Sequence, residues 1–178
     1  MRNNQNSTAV LLAGKTGLFL LMITVIILFG TLTFAFAITA RPQVVLPIPG
    51  LFFFNTLLLL FSSLALHFAL STEELARKRN YQRIALWIGG SFLFSQAYAW
   101  ISMLAEGLTL NSNGQELAYL YLLSGLHALH LLGGLLFLGV VHQKSQKQAH
   151  SYEEMATYFW HFLGLLWVFL LIILSMHA

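Results

Sequence analysis

Cysteine is absent from the 178 residues, which excludes a disulfide framework, a thiolate metal site and a thiol nucleophile. Aspartate is absent too, and the six acidic residues are all glutamates: Glu73, Glu74, Glu106, Glu116, Glu153 and Glu154. Charge of either sign is scarce. Only 8% of residues are charged, 58% are hydrophobic, and the mean hydropathy is +0.75. A soluble domain carries about 25% charged residues, so this chain could not cover a surface in water and belongs in a bilayer. The net charge of +3 is too small to argue for a nucleic-acid partner. Proline is confined to the segment from Arg41 to Pro49, which cannot continue a helix.

What is abundant is long apolar sequence. A membrane-spanning helix needs about 20 apolar residues, and five segments qualify. They run approximately over 17–39, 51–70, 84–105, 119–141 and 158–176, and none has Lys, Arg, Asp or Glu in its middle. Strands of a membrane barrel would be shorter and alternate in polarity. The expected fold is therefore all-α: a single membrane domain, 1–178, made as a polytopic bundle of five transmembrane helices. Residues 1–16 resemble the polar start of a signal peptide, but the apolar run that follows is too long for one and is expected to be a retained first span. The polar breaks between spans are 41–49, 73–83, 106–116 and 142–154. None is long enough for a soluble domain, and no internal repeat is visible.

Basic residues set the expected orientation. With the N-terminus inside, the inner segments hold Arg2, Lys15, Arg77, Lys78, Arg79, Arg83, Lys144 and Lys147, and the outer ones hold Arg41 alone. The C-terminus is then outside. The inner cluster Arg77, Lys78, Arg79 and Arg83 reads first as topology and second as a contact for anionic lipid, worth roughly 1 kcal/mol per basic residue.

Polar groups within a span are expensive and rarely face lipid. Every glutamate maps to a loop or a span end. That argues against an autonomous pump or transporter, which keeps a carboxylate at membrane depth. The histidines are the remaining candidates. His127 and His130, three apart, share a side of span four with Ser124 and Gly134, and His161 begins span five. Their chemistry could be metal or haem ligation, or hydrogen bonding across a packed interface. An i, i+3 pair is a weak metal signal alone, and His161 lies at a different depth, so packing is the favoured reading. His67 is expected to snorkel or bond a carbonyl. His142, His150 and His177 are expected at the surface. Trp160, Gly164, Trp167 and Leu171 form a stripe on span five that reads as packing surface, with Trp160 also placed as an interfacial anchor. Gly89, Gly90, Gly133 and Gly134 would permit close helix approach.

These residues resemble a known family, subunit III of the haem-copper oxidases, over nearly the whole chain from Lys15. Span four, Tyr121-Leu-Leu-Ser-Gly-Leu-His-Ala-Leu-His-Leu-Leu-Gly-Gly, is similar to the family's Thr-Gly-x-His-x-x-His-x-x-x-Gly signature, with Ser124 for Thr. Span five, Tyr158-Phe-Trp-His-Phe-Leu-Gly-Leu-Leu-Trp, resembles its Trp-Tyr-Trp-His-Phe-Val-Asp-x-x-Trp. Asn55-Thr56 with Ser62-Ser63 on span two, and Gln96 on span three, follow in the family's order. The resemblance implies an accessory subunit without catalytic residues or a cofactor of its own. Haem and copper would sit in partner subunits. The implied partners are catalytic subunit I, other oxidase subunits and phospholipids, with a respiratory supercomplex left open, in a bacterial cytoplasmic (inner) membrane. It makes His127, His130, Trp160, His161, Trp167, Asn55 and Gln96 packing residues, within the chain or against a neighbour. Spans four and five would form the partner-facing surface.

The departures from the family are specific. Common members have two further N-terminal helices, so the match is to the short five-helix form. The family's intramembrane glutamate aligns with Val25, its acidic residue after Gln96 with Ala99, and its Asp on the last span with Gly164. Proton entry through those carboxylates is not expected here. The rival readings are an accessory subunit of a nitric oxide reductase, a membrane cytochrome ligated by His127, His130 and His161, and a small transporter.

Overall fold

The structure, a computed structural model, describes residues 2–41, 46–109, 114–143 and 146–176, with side chains for 11–41, 46–109, 114–143 and 151–176. It is all-α, with five helices in chain order: α1 (Arg2–Thr39), α2 (Gly50–Ser71), α3 (Leu75–Ala105), α4 (Gln115–Gln143) and α5 (Gln146–Ser175). Each is long and apolar enough to cross a membrane. Arg2, Lys144, Lys147, His150 and His177 lie outside the residues whose side chains are described.

Local chemistry sets the helix ends. Pro49 caps α2 in an extended conformation, φ −62° and ψ 137°, as the prolines require. Gly107, at φ +80°, stops α3. Its N–H bonds the Leu104 carbonyl and the Leu108 N–H bonds that of Met103, which closes the carbonyls left open at a helix end. Three helices run well beyond the apolar segments in them. α1 starts in the polar stretch before residue 17, α3 takes in the charged stretch 75–83, and α5 begins within the polar break 142–154. Ala, Arg, Lys and Gln are good helix formers, so polarity there ends the apolar span without ending the helix.

The helices form a ring with one helix outside it. α2 packs on α3, α3 on α4, α4 on α5, and α5 closes back on α2. α1 packs only on α4 and α5 among the described residues. On α3 the buried residues are Gln82, Ala85, Gly89, Phe92, Gln96, Ala99 and Met103, spaced alternately three and four apart. That is the seven-residue repeat of helices packed side by side at a small left-handed crossing. α4 carries a matching row, which includes Leu120, Ser124, His127, Leu131, Gly134, Leu138 and Val141. α5 is the hub. Half of its apolar window is buried, against 17% for α1.

Candidate functional site

In a bilayer apolar burial alone does not drive helices together, so packing and hydrogen bonds between helices carry the association. The bundle has such bonds at three levels. Near one end, the Gln82 Nε2 donates to Glu153 Oε1 at 3.0 Å, and His142 Nδ1 stands 2.9 Å from Gln82 Oε1. Lys78 Nζ pairs with the other Glu153 oxygen at 2.6 Å. This cluster ties α3, α4 and α5 together. It corrects the surface reading of His142, which is half-buried, and it pairs Lys78 within the bundle. Arg77 pairs with Glu74 in an exposed contact at 3.2 Å. Arg79 is half-buried and Arg83 exposed.

Near the opposite end, Glu116 in the first turn of α4 is buried and takes Arg41 in a bidentate pair. Arg41 Nε reaches Oε1 at 2.9 Å and Nη2 reaches Oε2 at 3.0 Å. The Arg41 backbone N–H also donates to Oε1, at 3.1 Å. The hydrogen bond to Glu116 holds the Arg41 guanidinium above its ordinary pKa. Gln115 Nε2 donates to the Thr39 carbonyl at 2.7 Å, so the end of α1 is fastened twice.

Between these ends lie the residues singled out from the sequence. Asn55 and Gln96, both fully buried, join α2 to α3: Asn55 Nδ2 donates to Gln96 Oε1 at 2.8 Å. Ser62 Oγ donates to the Ala85 carbonyl at 3.0 Å. Trp167 Nε1 donates to Thr56 Oγ1, joining α5 to α2, and Trp100 Nε1 donates to Ser124 Oγ, joining α3 to α4, each at 3.1 Å. His127 is fully buried. Its ring lies 5.0 Å from that of Trp167 and 6.0 Å from that of Phe92, and Phe52 completes the cluster against Trp167.

The three histidines of spans four and five diverge. His127 points into the ring. His130, about 60° around the same helix by helical geometry, meets Phe29 of α1 edge-on at 5.6 Å, with Nδ1 2.7 Å from the Leu126 carbonyl. His161 lines a groove between α2 and α5 with Thr56, Ser63 and Gly164. The described residues contain no group of three histidines or carboxylates placed to hold a metal ion.

Trp160 is buried rather than interfacial. It packs so closely on Gly89 that a Cβ there would stand 2.6 Å from the indole. Gly134 has Leu163 at 3.2 Å from the corresponding position, whereas Gly90 and Gly133 face open space. Two of the four glycines therefore permit close approach. His67 is exposed on α2 beside Phe68. With His127, Trp160 and Trp167 turned inward, spans four and five do not offer these three side chains to a partner.

Sequence reasoning missed the Arg41–Glu116 clamp and the Lys78–Gln82–Glu153–His142 cluster. A signal existed: each contains a glutamate close to a span end, where an unpaired carboxylate is costly.

No family model matches the chain. Curated relatives do. The chain is 31% identical over 131 residues to "Cytochrome c oxidase subunit 3" of Thermostichus vulcanus, covering 67% of this chain and 62% of the relative. It is 28% identical over 171 residues to the protein of that name in Synechocystis sp., covering 91% and 70%. In Corynebacterium diphtheriae the figures are 26% over 125 residues, covering 66% and 60%. The matches thus span about three-fifths to seven-tenths of these relatives' length.

Proposed function

Because the chain belongs to the subunit III family of the haem-copper oxidases, we propose that it is a non-catalytic accessory subunit of a respiratory terminal oxidase. It flanks the catalytic subunit and stabilises it in a bacterial cytoplasmic membrane, with its N-terminus inside. The complex as a whole reduces oxygen to water. The relatives carry the oxidase name, which favours this partner over a nitric oxide reductase.

The observation that carries the reading is the fate of the family's histidines and tryptophans. His127 is 0% exposed, and Trp160 and Trp167 are each 1% exposed, all within the chain's own helices. Such side chains give a rigid body that a partner can lean on. In this reading electron transfer is the work of haem and copper held in partner subunits. His130 and His161 are half-buried. Both line grooves on the bundle surface, where they meet a neighbouring helix or lipid.

Purification in mild detergent through a tag on this chain tests the proposal. The expected result is co-elution of haem- and copper-bearing subunits in fixed proportion. His161→Ala, which leaves the ring core untouched, is expected to lower that proportion. Elution of the wild-type chain with no such subunit contradicts the proposal.

A further inference from the structure

The interior of the ring holds a group of polar atoms that packing alone does not explain. Asn55 and Gln96 spend one hydrogen bond on each other, which leaves Asn55 Oδ1 as an acceptor and Gln96 Nε2 as a donor. Neither has a partner among the described residues, and both residues are 0% exposed. His127, also 0% exposed, has no hydrogen bond at either ring nitrogen. An unmet polar group in a core costs far more than a bond to it gains, so several at one place point to a shared partner.

They are at one place. The hydrogen bonds Trp100–Ser124 and Gln82–His142, one towards each end, fix the antiparallel register of α3 on α4. In that register Gln96 stands opposite the step from His127 to Ala128. The Phe92–His127 ring contact, one turn away from Gln96, agrees. The Asn55–Gln96 bond brings α2 to the same level. Three helices therefore deliver an acceptor, a donor and an imidazole into one layer, closed by the rings of Phe52, Phe92 and Trp167.

We propose that Asn55, Gln96 and His127 bind one buried water molecule at the centre of the bundle. The inventory fits water: the site offers the NH2 group of Gln96 as donor, one amide oxygen and a neutral imidazole that accepts at one nitrogen. Gln96 Nε2 donates to the water oxygen. The water donates one hydrogen to Asn55 Oδ1 and the other to His127. Three bonds are the usual number for a buried water. The remaining imidazole N–H lies among aromatic rings, which accept weakly. A metal cation is a poorer fit, because the layer contains no carboxylate. The water would link α2, α3 and α4 by a single bridge. This inference does not depend on the role in an oxidase.

Electron cryo-microscopy of the purified full-length chain in its assembly, at a resolution that shows ordered water, tests it. The expected result is one peak within about 3 Å of Asn55 Oδ1, Gln96 Nε2 and a His127 nitrogen. Direct bonds from the amides to His127 with no such peak overturn it. A thermal double-mutant cycle gives a second reading. Asn55→Leu and His127→Phe each lower the melting temperature, by roughly 5 °C. The proposal expects the double variant to lose clearly less than the two shifts added, because the bridge is lost only once. Additive losses overturn it.

Discussion

The ring of α2 to α5 and the outlying helix α1 are both apolar, yet they are held by different forces. Inside the ring, every adjacent pair but one is joined by a described side-chain hydrogen bond: Asn55–Gln96, Trp100–Ser124 and Trp167–Thr56. The exception, α4 on α5, relies on close approach at Gly134. α1 meets the ring through Val25, Phe29 and Phe36, with Phe29 on His130 and Phe36 on Tyr119, and its polar fastenings lie at one end, at Arg41 and Thr39. Apolar contact is as good with lipid as with protein. The ring is thus a body specified by its polar pairs, and α1 is a helix leaned against it and pinned at one end.

The contrast can be broken from the ring side first. Gly89→Leu forces a side chain into the Trp160 indole and is expected to cost about 3 kcal/mol. Gly90→Leu, into open space, should cost within about 0.5 kcal/mol. Thermal unfolding of the two solubilised variants checks both. Equal losses would mean that Trp160 does not pack on α3. From the α1 side, Glu116→Ala removes the acceptor of both the Arg41 guanidinium and its backbone N–H. Amide exchange should quicken over 33–41 and stay unchanged in α2 and α3. Faster exchange spread through the ring would erase the distinction. A smaller effect is expected from Trp167→Phe, which keeps an aromatic ring in place but loses the bond to Thr56 and part of the indole's packing, about 2 kcal/mol. Smallest is Gly30→Ala, in the groove between α1 and α5, within about 0.5 kcal/mol, because nothing lies within reach of the new methyl.

The five spans were legible because hydropathy depends only on local composition, and the prolines of 41–49 mark a break that no packing can undo. The burial of His127 was legible from its apolar surroundings and from the family motif. The partners were not. Whether Asn55 meets Gln96, or Glu153 meets Lys78 and Gln82, depends on the register of helices far apart in sequence, which a single chain of letters does not carry. His142 was misread for that reason: it sits at a span end among polar residues, and only the approach of α3 supplies Gln82. Trp160 carried two readings, packing surface and interfacial anchor, and only the first fits its burial. An indole near a span end suits an interfacial anchor equally well until Gly89 on another helix is found beneath it. His127 and His130 share a side of α4 in the sequence pattern, but an arc of about 60° is enough to send one into the ring and the other towards α1.

In the proposed role the histidines of spans four and five serve packing, and the redox centres lie in partner subunits. Visible absorption and metal analysis of the isolated chain, beside the intact assembly, test it most directly. The chain alone should show no Soret band and no stoichiometric iron or copper, with both metals present in the assembly. A Soret band, or one iron or copper per isolated chain, would contradict it.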